Sequence, residues 1–545
     1  MLLLNLRRLL LTGFIVAVFG RQAVFNSSEH QWTTFPRPIT RVAVIGAGPS
    51  GLQAAAQLLA ANLSVRLFER SPQPGGTWHY TENTPAREIY PGAISNKTKG
   101  TPNVLPATIY YAEGEDGISL EDRWKEHWQP SPAWHDLHTN SPSINTELPG
   151  VKYPANAPWA ISVHDVQRHV RAYASLHGIN SNDGEPSSPS AERVASYSTR
   201  VEKVEKCNST ATWTLTLRHL KWLPETNRIK ERFWTETFDA VVVATNLFTT
   251  PKVPTIKGIE GWSSAMEDGA YSMHHSQSYR HPERYAGKTV LIVGSSISAT
   301  QIGRSIFALA HRVFASVRVR TSDCKHHDRQ KEVAKFEQQI ELVPEISFFE
   351  PLNENSIGIQ AGRIHLLNGT ILQGIDMIIL ATGYQLPSFF PARVEYQGSS
   401  VNPLTQDNLH WTGHYIKDPT LAYSLVRPWT HGRYQSTGFA RVWTGKVRLP
   451  GQHQMWKEYK AYDFGSPLDV FPQEALVRKY VAWLNAEALE LGGQFVEPLP
   501  VEAREAYAYF YNNLLKKEFV NHDNFTRFDG LPSNEWPSRV EVLSW

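Results

Sequence analysis

The sequence predicts an α/β protein, because one local pattern occurs twice along its 545 residues. In each copy a short run of β-branched residues leads directly into a glycine-rich turn, and a helix-like stretch follows the turn. The first copy begins at Arg41 and the second at Lys288. Strands that alternate with helices in this way form a parallel sheet covered by helices. The chain is also too long for one ordinary core, so we expect two or more domains.

Composition excludes several classes of function. The chain carries 54 Lys and Arg against 52 Asp and Glu, and this formal net charge of +2 provides no basic field for nucleic acid. Its two cysteines, Cys207 and Cys324, allow neither a disulfide framework nor a four-thiolate metal site. Aromatic residues make up 11% of the chain, which suits either a pocket for a flat organic molecule or core packing. We therefore expect a small-molecule partner, no nucleic acid and no metal.

Residues 1–20 have the pattern of a secretory signal sequence or a membrane anchor. Arg7 and Arg8 precede an apolar stretch at 9–19, which as a helix covers roughly 16 Å, well short of the ~30 Å of a bilayer core. Cleavage after Gly20, an uncleaved anchor and a buried or cytosolic leader all stay open. Residues 21–40 predict a linker. Six Asn-x-Ser/Thr acceptors favour the secretory pathway and a glycoprotein, with the cytosolic face of the endoplasmic reticulum as the alternative: Asn26, Asn62, Asn96, Asn208, Asn368 and Asn524.

The first copy predicts strand, turn and helix over 41–61. Gly46 permits a tight turn, Gly48 lets the backbone approach a pyrophosphate, and Gly51 lets the helix pack closely on the strand. The amino end of the helix can then bind the negative charge of the phosphates. Glu69 ends a second strand 69 − 46 = 23 residues after the first glycine, where a carboxylate accepts from ribose hydroxyls. Together these features predict a Rossmann-like dinucleotide site, and the alternative is a structural glycine turn.

A further turn at 75–78 lets the backbone pass close to a flat ring system, although by itself it would be only a loop. The cofactor-binding residues predicted for the first site are Gly46, Gly48, Pro49, Ser50, Gly51, Glu69, Arg70, Gly76, Thr77 and Trp78.

The second copy repeats strand, turn and helix over 288–310. Ser296 and Ala299 replace two of the three glycines, so this turn alone would not identify a nucleotide site. After the next strand, Arg318 and Arg320 follow where the first site has an acid, and a guanidinium can clamp a ribose 2′-phosphate. This predicts NADPH, with a solvated basic strand end as the alternative. The predicted contacts are Gly294, Ser296, Ser298, Ala299, Thr300 and Arg318.

Two dinucleotide sites in one chain imply that electrons pass between cofactors, since a bound flavin accepts hydride from a nicotinamide. A disulfide reductase would pass these electrons to a Cys-x-x-Cys pair, but Cys207 and Cys324 are 324 − 207 = 117 residues apart. That class is excluded, and O2 is the natural acceptor.

The motifs resemble those of the flavin-containing monooxygenase family over 41–449, about three quarters of the chain. The resemblance implies two nested Rossmann-like domains with FAD and NADPH as cofactors, and it adds Thr139, Asn140 and Gly383 to the expected contacts. It depends on the turn at 46–51, Glu69, Gly76-Thr-Trp78, Leu137-His-Thr-Asn140, His275-Ser276 with Tyr279, the turn at Gly294, Ala381-Thr-Gly-Tyr384 and Pro419-Thr-Leu-Ala-Tyr423.

The resemblance also implies a mechanism. NADPH reduces FAD, O2 adds at the flavin C4a carbon, and the hydroperoxide waits with NADP⁺ bound until a substrate takes its distal oxygen. Asn140 matches the family asparagine whose amide donates to the peroxide or holds the nicotinamide. The alternative for Asn140 is a turn residue that caps the break before Pro142. The protein's task is then to exclude water from a reactive peroxide.

The linker between the two units departs from the family pattern Phe-x-Gly-x-x-x-His-x-x-x-Tyr/Trp. The matching positions are Gly269, Tyr271, His275 and Tyr279, so half of the pattern is kept. Tyr279 favours the heteroatom-oxidising branch, since the Baeyer–Villiger motif ends in Trp. His275 alone could be a satisfied surface histidine.

Asn246 is a further departure from the family pattern, and the segment 324–328 contains residue types that can bind metals. Asn246 replaces the usual glycine of Ala-Thr-Gly, so a side chain stands where backbone normally passes. The segment 324–328, Cys-Lys-His-His-Asp, lacks a second ligand pair for a metal and predicts a polar loop.

The expected organisation is an FAD-binding domain at 41–255 and 375–545 with an NADPH-binding domain inserted at 256–374. Antiparallel strands are expected between 194 and 243, and amphipathic helices at 474–491 and 502–519.

We therefore expect an FAD- and NADPH-dependent monooxygenase of a small organic substrate, similar to fungal members that tailor an aromatic polyketide or another secondary metabolite. The alternatives are N- or S-oxygenation of small nucleophiles, Baeyer–Villiger oxidation, a non-catalytic flavin-binding accessory protein, and an oxidase that makes hydrogen peroxide. Membrane association through the amino-terminal segment and partner enzymes of one pathway are also expected.

Overall fold

The computed structural model describes residues 32–85, 100–180, 193–245, 248–267, 270–318, 336, 338–353, 358–385, 393–400, 408–424, 429–461 and 470–509. The predicted leader, the linker pattern's Gly269, the Asn246 position, Arg320 and the 324–328 segment lie outside these residues, as do the acceptors Asn26, Asn96 and Asn524.

The strands of the described residues are numbered in chain order. They are β1 Arg41–Ile45, β2 Ser64–Phe68, β3 Ala107–Tyr111, β4 Ala195–Ser196, β5 Thr199–Cys207, β6 Thr212–Leu223, β7 Arg228–Phe238, β8 Ala240–Val243, β9 Thr250–Pro251, β10 Met266–Glu267, β11 Ala270–Tyr271, β12 Met273–His275, β13 Thr289–Val293, β14 Arg312–Ser316, β15 Glu341–Val343, β16 Ile346–Phe349, β17 Ile364–Leu366, β18 Ile371–Leu372, β19 Met377–Leu380, β20 Tyr384–Gln385, β21 Arg393–Tyr396, β22 Ser399–Ser400, β23 Leu409–His410, β24 His414–Tyr415 and β25 Leu421–Tyr423.

The α-helices of the same residues are α1 Pro49–Ala60, α2 Leu120–Trp128, α3 Val163–Leu176, α4 Ile259–Ser263, α5 Ile297–Ile306, α6 Trp429–Trp443, α7 Gln452–Ala461, α8 Val470–Leu491 and α9 Val501–Tyr509. Among the described helices, none combines the length and the apolar character needed to cross a bilayer.

The first unit is built on a seven-stranded sheet with the order β23-β24-β25-β8-β1-β2-β4. Its strands β25, β8, β1, β2 and β4 are parallel. Along β1, Val42 and Val44 enter the core on the helix side, while Ala43 and Ile45 enter a second core that contains Trp213. A strand buried on both faces needs apolar residues at every position, which is why β1 and β8 read as continuous apolar runs.

The second unit is a five-stranded sheet with the order β12-β19-β13-β14-β15, in which every pairing is parallel. It repeats the hydrogen bond that fixes the start of the glycine turn. The Gly46 N–H donates to the Phe68 carbonyl at 2.8 Å, and the Gly294 N–H donates to the Ser316 carbonyl at 3.0 Å. The two predicted Rossmann-like units are therefore present and nested, and the α/β fold class is confirmed.

The expected antiparallel strands form a separate six-stranded sheet, β22-β21-β5-β6-β7-β3. Its long strand β7 was not predicted, because its polar and apolar residues alternate less clearly than those of β6. This sheet covers one face of the first unit, where Trp213 and Leu217 pack against Val241 and Val243. It therefore supports the sheet that carries the first glycine turn.

The inserted unit ends later than the predicted boundary at 374. Strand β19 pairs with β13 in the second sheet, with Met377 opposite Val290 and Leu380 opposite Val293. The two chain crossings between the units also pair with each other, because β9 on the way out lies antiparallel to β20 on the way back. Sheet pairing therefore keeps 377–380 within the second unit and makes a two-stranded ribbon at the crossing.

The carboxy-terminal region holds the two expected helices as α8 and α9, and residues 510–519 of the second lie outside the described part. Helices α6 and α7 were not predicted. Helix α6 packs on α1, where a Cβ at Gly432 would lie 3.0 Å from the Gln53 side-chain nitrogen. The Gln53 amide donates to the carbonyls of Pro49 and Trp429, both at 3.2 Å, and so ties the amino ends of the two helices together.

Candidate functional site

The first glycine turn has no room for side chains. Gly46 has φ +104°, and a Cβ there would lie 2.7 Å from the Ala244 carbonyl oxygen. A Cβ at Gly51 would lie 1.9 Å from the Gly46 carbonyl oxygen, so helix α1 meets β1 at backbone distance. Gly48 is the N-cap of α1 and supplies no side-chain cap. The first N–H groups of the helix are thus left for an anion.

The second turn of the first unit touches the first. The Gly75 N–H donates to the Ala47 carbonyl at 3.0 Å, and a Cβ at Gly76 would lie 2.9 Å from the Gly48 Cα. The half-buried Trp78 ring lies edge-on to Trp429 at the start of α6, with 6.0 Å between ring centroids. The backbone of 76–78 is therefore held next to the anion-binding turn.

Glu69 is anchored by backbone donors at the end of β2. Its Oε2 accepts the Ala47 N–H at 2.6 Å and its Oε1 accepts the Ser71 N–H at 2.8 Å, with 7% of the residue exposed. Burial raises the pKa of this carboxyl, and the two N–H donors oppose that effect. Each oxygen keeps a second lone pair for a ribose hydroxyl. Arg70 instead donates to the Gln129 amide oxygen.

The glycine turn of the second unit has the same geometry as the first, except that an alanine replaces one of its glycines. Gly294 has φ +130°, and a Cβ there would lie 2.4 Å from the Ala381 carbonyl, as Gly46 lies against Ala244. The residue in the place of Gly51 is Ala299, whose methyl group is accommodated and fully buried. Ser296 is the N-cap of α5 and makes no side-chain cap bond.

The polar residues beside this turn differ in exposure and in whether their hydroxyls are already hydrogen-bonded. The Thr300 hydroxyl donates within its own helix, to the Ile297 carbonyl at 3.1 Å and the Ser296 carbonyl at 3.3 Å. Ser298 is half-buried and Ser296 is exposed. The Ser296 hydroxyl is therefore the better placed of the three for an anion at the helix amino end.

The strand ends of the two units differ in charge. Because Phe68 and Ser316 occupy the same place, Val317 stands where the first unit has Glu69, and Arg318 stands where it has Arg70. The Arg318 Nε lies 3.2 Å from Glu345 Oε1, and 63% of its side chain is exposed. Such exposed ion pairs contribute about 0–1 kcal/mol, so the guanidinium can move to a phosphate at little cost.

The segment 131–140 contacts both units. The Ser131 hydroxyl donates to the Thr77 carbonyl at 2.8 Å in the first unit. The Asp136 carboxylate accepts from Ser305 on α5 of the second unit. The segment then returns to the first unit, where the Thr139 N–H donates to the Ile161 carbonyl at 2.9 Å. It therefore lies at the junction of the two units.

At the end of this segment, Thr139 is buried and Asn140 is exposed. The Thr139 hydroxyl donates to the Ser141 carbonyl at 2.9 Å and accepts the Ile161 N–H at 3.0 Å. Among the described residues no group bonds to the Asn140 amide. Thr139 thus makes the local bonds that the turn-capping alternative assigned to Asn140.

His275 is buried rather than on the surface, with 3% exposed. Its Nδ1 accepts the Gln277 N–H at 3.1 Å, and its Nε2 donates to the Gly383 carbonyl at 3.0 Å. Burial lowers its pKa to about 4, so the ring is neutral. The same carbonyl accepts the Lys252 N–H at 2.9 Å. Gly383, expected to contact a cofactor, here joins the outgoing and returning crossings.

Sequence reasoning missed two hydroxyls that follow parallel strands of the first sheet. Thr245 follows β8 and Ser424 follows β25, and their buried hydroxyl oxygens have no hydrogen-bond partner among the described residues. Buried hydroxyls are normally paired, so these two suit a polar ligand at the carboxyl edge of the sheet. Their position just after an apolar strand is the signal that could have found them.

Two parallel units, each with an anion-binding glycine turn, meet along a paired crossing, and an exposed amide lies at their junction. This arrangement defines a two-dinucleotide flavoprotein oxidoreductase, since each turn fits a pyrophosphate and the 76–78 backbone fits a flat ring.

Comparison with known proteins specifies the class further. Residues 195–323 match the family model of flavin-binding monooxygenase-like proteins, and residues 44–105 match that of the NAD(P)-binding Rossmann-like domain. The chain is 32% identical to the flavin-containing monooxygenase iboF of Amanita muscaria over 511 residues, 87% of this chain and 93% of that protein. It is 29% identical to ustF2 of Aspergillus flavus, over 77% and 86% of the two chains.

A solved structure agrees in fold. The S-allyl-L-cysteine S-oxygenase of Allium sativum superposes with a TM-score of 0.59 at 20% identity, over 89% of this chain and 95% of that one. The chain belongs to the flavin-containing monooxygenase family. It is a flavin-dependent monooxygenase with FAD and NADPH as its cofactors, as the sequence predicts.

Proposed function

We propose that this enzyme places one atom of O2 on a small organic metabolite at the junction of its two units. NADPH supplies two electrons as a hydride and is released as NADP⁺, the substrate gains one oxygen atom, and the second oxygen atom leaves as water with the uptake of a proton. The observation that carries this proposal is the exposed Asn140 amide, on a segment bonded to Thr77 in the first unit and to Ser305 in the second.

The first unit would hold FAD. The close turns at 46–51 and 76–78 fit the pyrophosphate and the ring, Glu69 the ribose, and the unpaired hydroxyls of Thr245 and Ser424 the polar edge of the cofactor. When bound, FAD supplies the oxygen-activating chemistry. The side chains of the protein bind it, orient it and exclude water.

The second unit would hold NADPH. The α5 amino end with Ser296 fits the pyrophosphate, and Arg318 would exchange Glu345 for the 2′-phosphate. Val317 occupies the position that Glu69 has in the first unit, so no carboxylate at this position repels the phosphate.

For the substrate we infer an aromatic metabolite, with tailoring of a polyketide or another secondary metabolite as the biological setting. The half-buried rings of Trp78 and Trp429 offer apolar surface beside the first unit, and two fungal relatives share most of the chain's length. Oxygenation of nitrogen or sulfur is the second candidate, favoured by Tyr279 where the Baeyer–Villiger motif has Trp.

The test is turnover under ¹⁸O2 with the purified holoenzyme, NADPH and three substrate panels: aromatic polyketides, amines and thioethers. We expect one ¹⁸O atom in the product and one NADPH consumed per product. Hydrogen peroxide equal to the NADPH consumed with every panel would favour the oxidase alternative. A protein that is colourless and cannot be reconstituted with FAD would contradict the whole proposal.

We also propose that the chain enters the secretory route or is held at an endomembrane through residues 1–20. Three acceptor asparagines support this, since Asn62, Asn208 and Asn368 are exposed in turns. A change in electrophoretic mobility after enzymatic deglycosylation of the protein from its native cells tests it. If the mobility is unchanged and the protein sediments with membranes, the result would favour the cytosolic face of the endoplasmic reticulum. Partner enzymes of one pathway would then be expected on the same membrane.

A further inference from the structure

Arg280 is a buried cation whose two terminal nitrogens donate to backbone carbonyls, while its buried Nε has no hydrogen-bond partner among the described residues. Its Nη1 donates to the carbonyls of Gln277 and Tyr279 at 2.9 and 2.7 Å. Its Nη2 donates to the carbonyls of Asn83 and Ser131 at 2.6 and 3.0 Å. The residue is 8% exposed. One planar group therefore fixes the separations of three chain segments.

Each of these three segments belongs to the site. Asn83 follows the turn at 76–78, and Ser131 begins the segment that ends at Asn140. Gln277 and Tyr279 lie in the linker into the second unit, directly after His275. The Ser131 hydroxyl also continues the connection to the Thr77 carbonyl at 2.8 Å.

The backbone of Arg280 strengthens the same connection. Its carbonyl accepts the His135 N–H at 3.1 Å, so the linker and the 131–140 segment are joined twice. On the linker side, the ring of the next residue, His281, donates to Glu82 at 2.7 Å. All these contacts hold the linker to the first unit beside the junction.

We propose that Arg280 is a positioning residue that keeps the linker of the NADPH unit, the flavin-side turn and the Asn140 segment in one arrangement and so protects the junction from water. This inference rests on the proposed site at that junction. It does not require Arg280 to touch a cofactor or the substrate.

The chemistry of the side chain explains why arginine is needed. A guanidinium offers donors in a rigid fork that can reach carbonyls on separate segments, whereas an ammonium is a point charge on a flexible stem. Burial lowers the pKa of Arg280 to about 10, and Tyr80 and Glu82 act in the opposite sense. The group therefore stays charged at neutral pH and keeps all its donors.

The test compares Arg280→Lys with Arg218→Lys in the FAD-loaded enzyme with NADPH and without organic substrate. Arg218 on β6 is a matched control, because it is 3% exposed and bonded to Glu231 on β7 and Glu126 on α2, outside the linker and the 131–140 segment. The readouts are bound FAD, the rate of hydrogen peroxide release and the melting temperature. We expect Arg280→Lys to keep FAD bound and to release hydrogen peroxide about tenfold faster than the wild type.

Arg218→Lys should lower the melting temperature without changing peroxide release. Equal peroxide release by Arg280→Lys and the wild type would overturn the proposal, whatever the change in stability. If Arg280→Lys does not fold, Arg280→Gln decides, since its amide keeps two donors and buries no charge. Faster release by Arg280→Gln supports the proposal and an unchanged rate overturns it. Rapid release by the wild type itself would instead contradict the proposed monooxygenation.

Discussion

Asn140 is exposed at the junction, and Thr139 makes the hydrogen bonds of its turn. We therefore expect Asn140→Ala to leave the fold and the bound FAD unchanged, while product yield per NADPH falls on the order of tenfold because one preorganised donor is lost. Product and hydrogen peroxide measured against NADPH consumed provide the check. Thr139→Ala should instead lower stability, since it removes two local bonds. Full product yield from Asn140→Ala would rule out its assignment.

Arg318 is proposed to recognise the 2′-phosphate. Arg318→Ala should raise the KM for NADPH about tenfold, because a charge-assisted pair is lost, and should change the KM for NADH little. Arg312 is the matched control, since it forms an exposed ion pair with Glu341 at the opposite end of the same strand. Arg312→Ala should leave both KM values unchanged. Equal losses of NADPH and NADH in Arg318→Ala would remove the phosphate role.

Local patterns predict single residues well only where the chemistry is local. The glycines of the first turn could be found from sequence, because strand, turn and helix follow one another directly. Thr245 and Ser424 could have been found in the same way, since each directly follows an apolar strand. Arg280 could not, because two of its carbonyl partners, Asn83 and Ser131, come from distant segments. Gly383 is between these cases: its motif is visible in the sequence, but the bonds that its carbonyl accepts from His275 and Lys252 depend on the fold.

At the scale of elements, the two glycine turns differ in how closely helix and strand meet. We expect Gly51→Ala to abolish FAD retention and to lower the free energy of unfolding by about 1–3 kcal/mol or more, since the new Cβ would lie 1.9 Å from the Gly46 carbonyl. Ala299→Gly at the matching position should cost only about 1 kcal/mol, the difference in helix propensity. Flavin absorbance after gel filtration and urea unfolding give the two readouts. Normal FAD content in Gly51→Ala would show that the close contact is not required.

Elements that need distant partners escaped the sequence analysis. Strand β7 has β3 of the distant segment 107–111 as its second partner, and helix α6 packs against α1. The pairing of β7 with β6 is local, and only its weaker alternation of polar and apolar residues kept it from being predicted. The ribbon of β9 and β20 has two residues in each strand, too few for any periodicity. The predicted boundary at 374 placed strand β19 in the wrong domain. An apolar run does not reveal which sheet it joins, and only its pairing with β13 assigns it to the second unit.

At the scale of the whole molecule, the protein buries many neutral histidines. Burial lowers the pKa to about 4 for His79, His169 and His275 and to about 3 for His274, His414 and His431. The unfolded chain binds protons at these groups near pH 6.5 and the native chain does not. Their contribution to stability is therefore complete above pH 6.5 and is lost as the pH falls towards 4.

We expect the free energy of unfolding to decrease by several kcal/mol per pH unit, in order of magnitude, between pH 6.5 and 4. Urea midpoints measured at pH 7.5, 6.5 and 5.5 give the slope. His431→Gln removes one titrating group and should flatten the curve. A constant midpoint between pH 6.5 and 5.5 would contradict this expectation.

The sequence by itself determined the two nucleotide units, their cofactors and the family, because a strand, a glycine turn and a helix are local chemistry with a fixed spacing. Only the tertiary structure decided where the units join, which side chains face the junction and which carbonyls Arg280 binds. These features depend on hydrogen bonds between residues far apart in the chain, 197 positions for Arg280 and Asn83, 149 for Arg280 and Ser131, and 108 for His275 and Gly383. Their identity is set by packing and by the cost of leaving buried polar groups unpaired, neither of which leaves a periodic pattern along the chain.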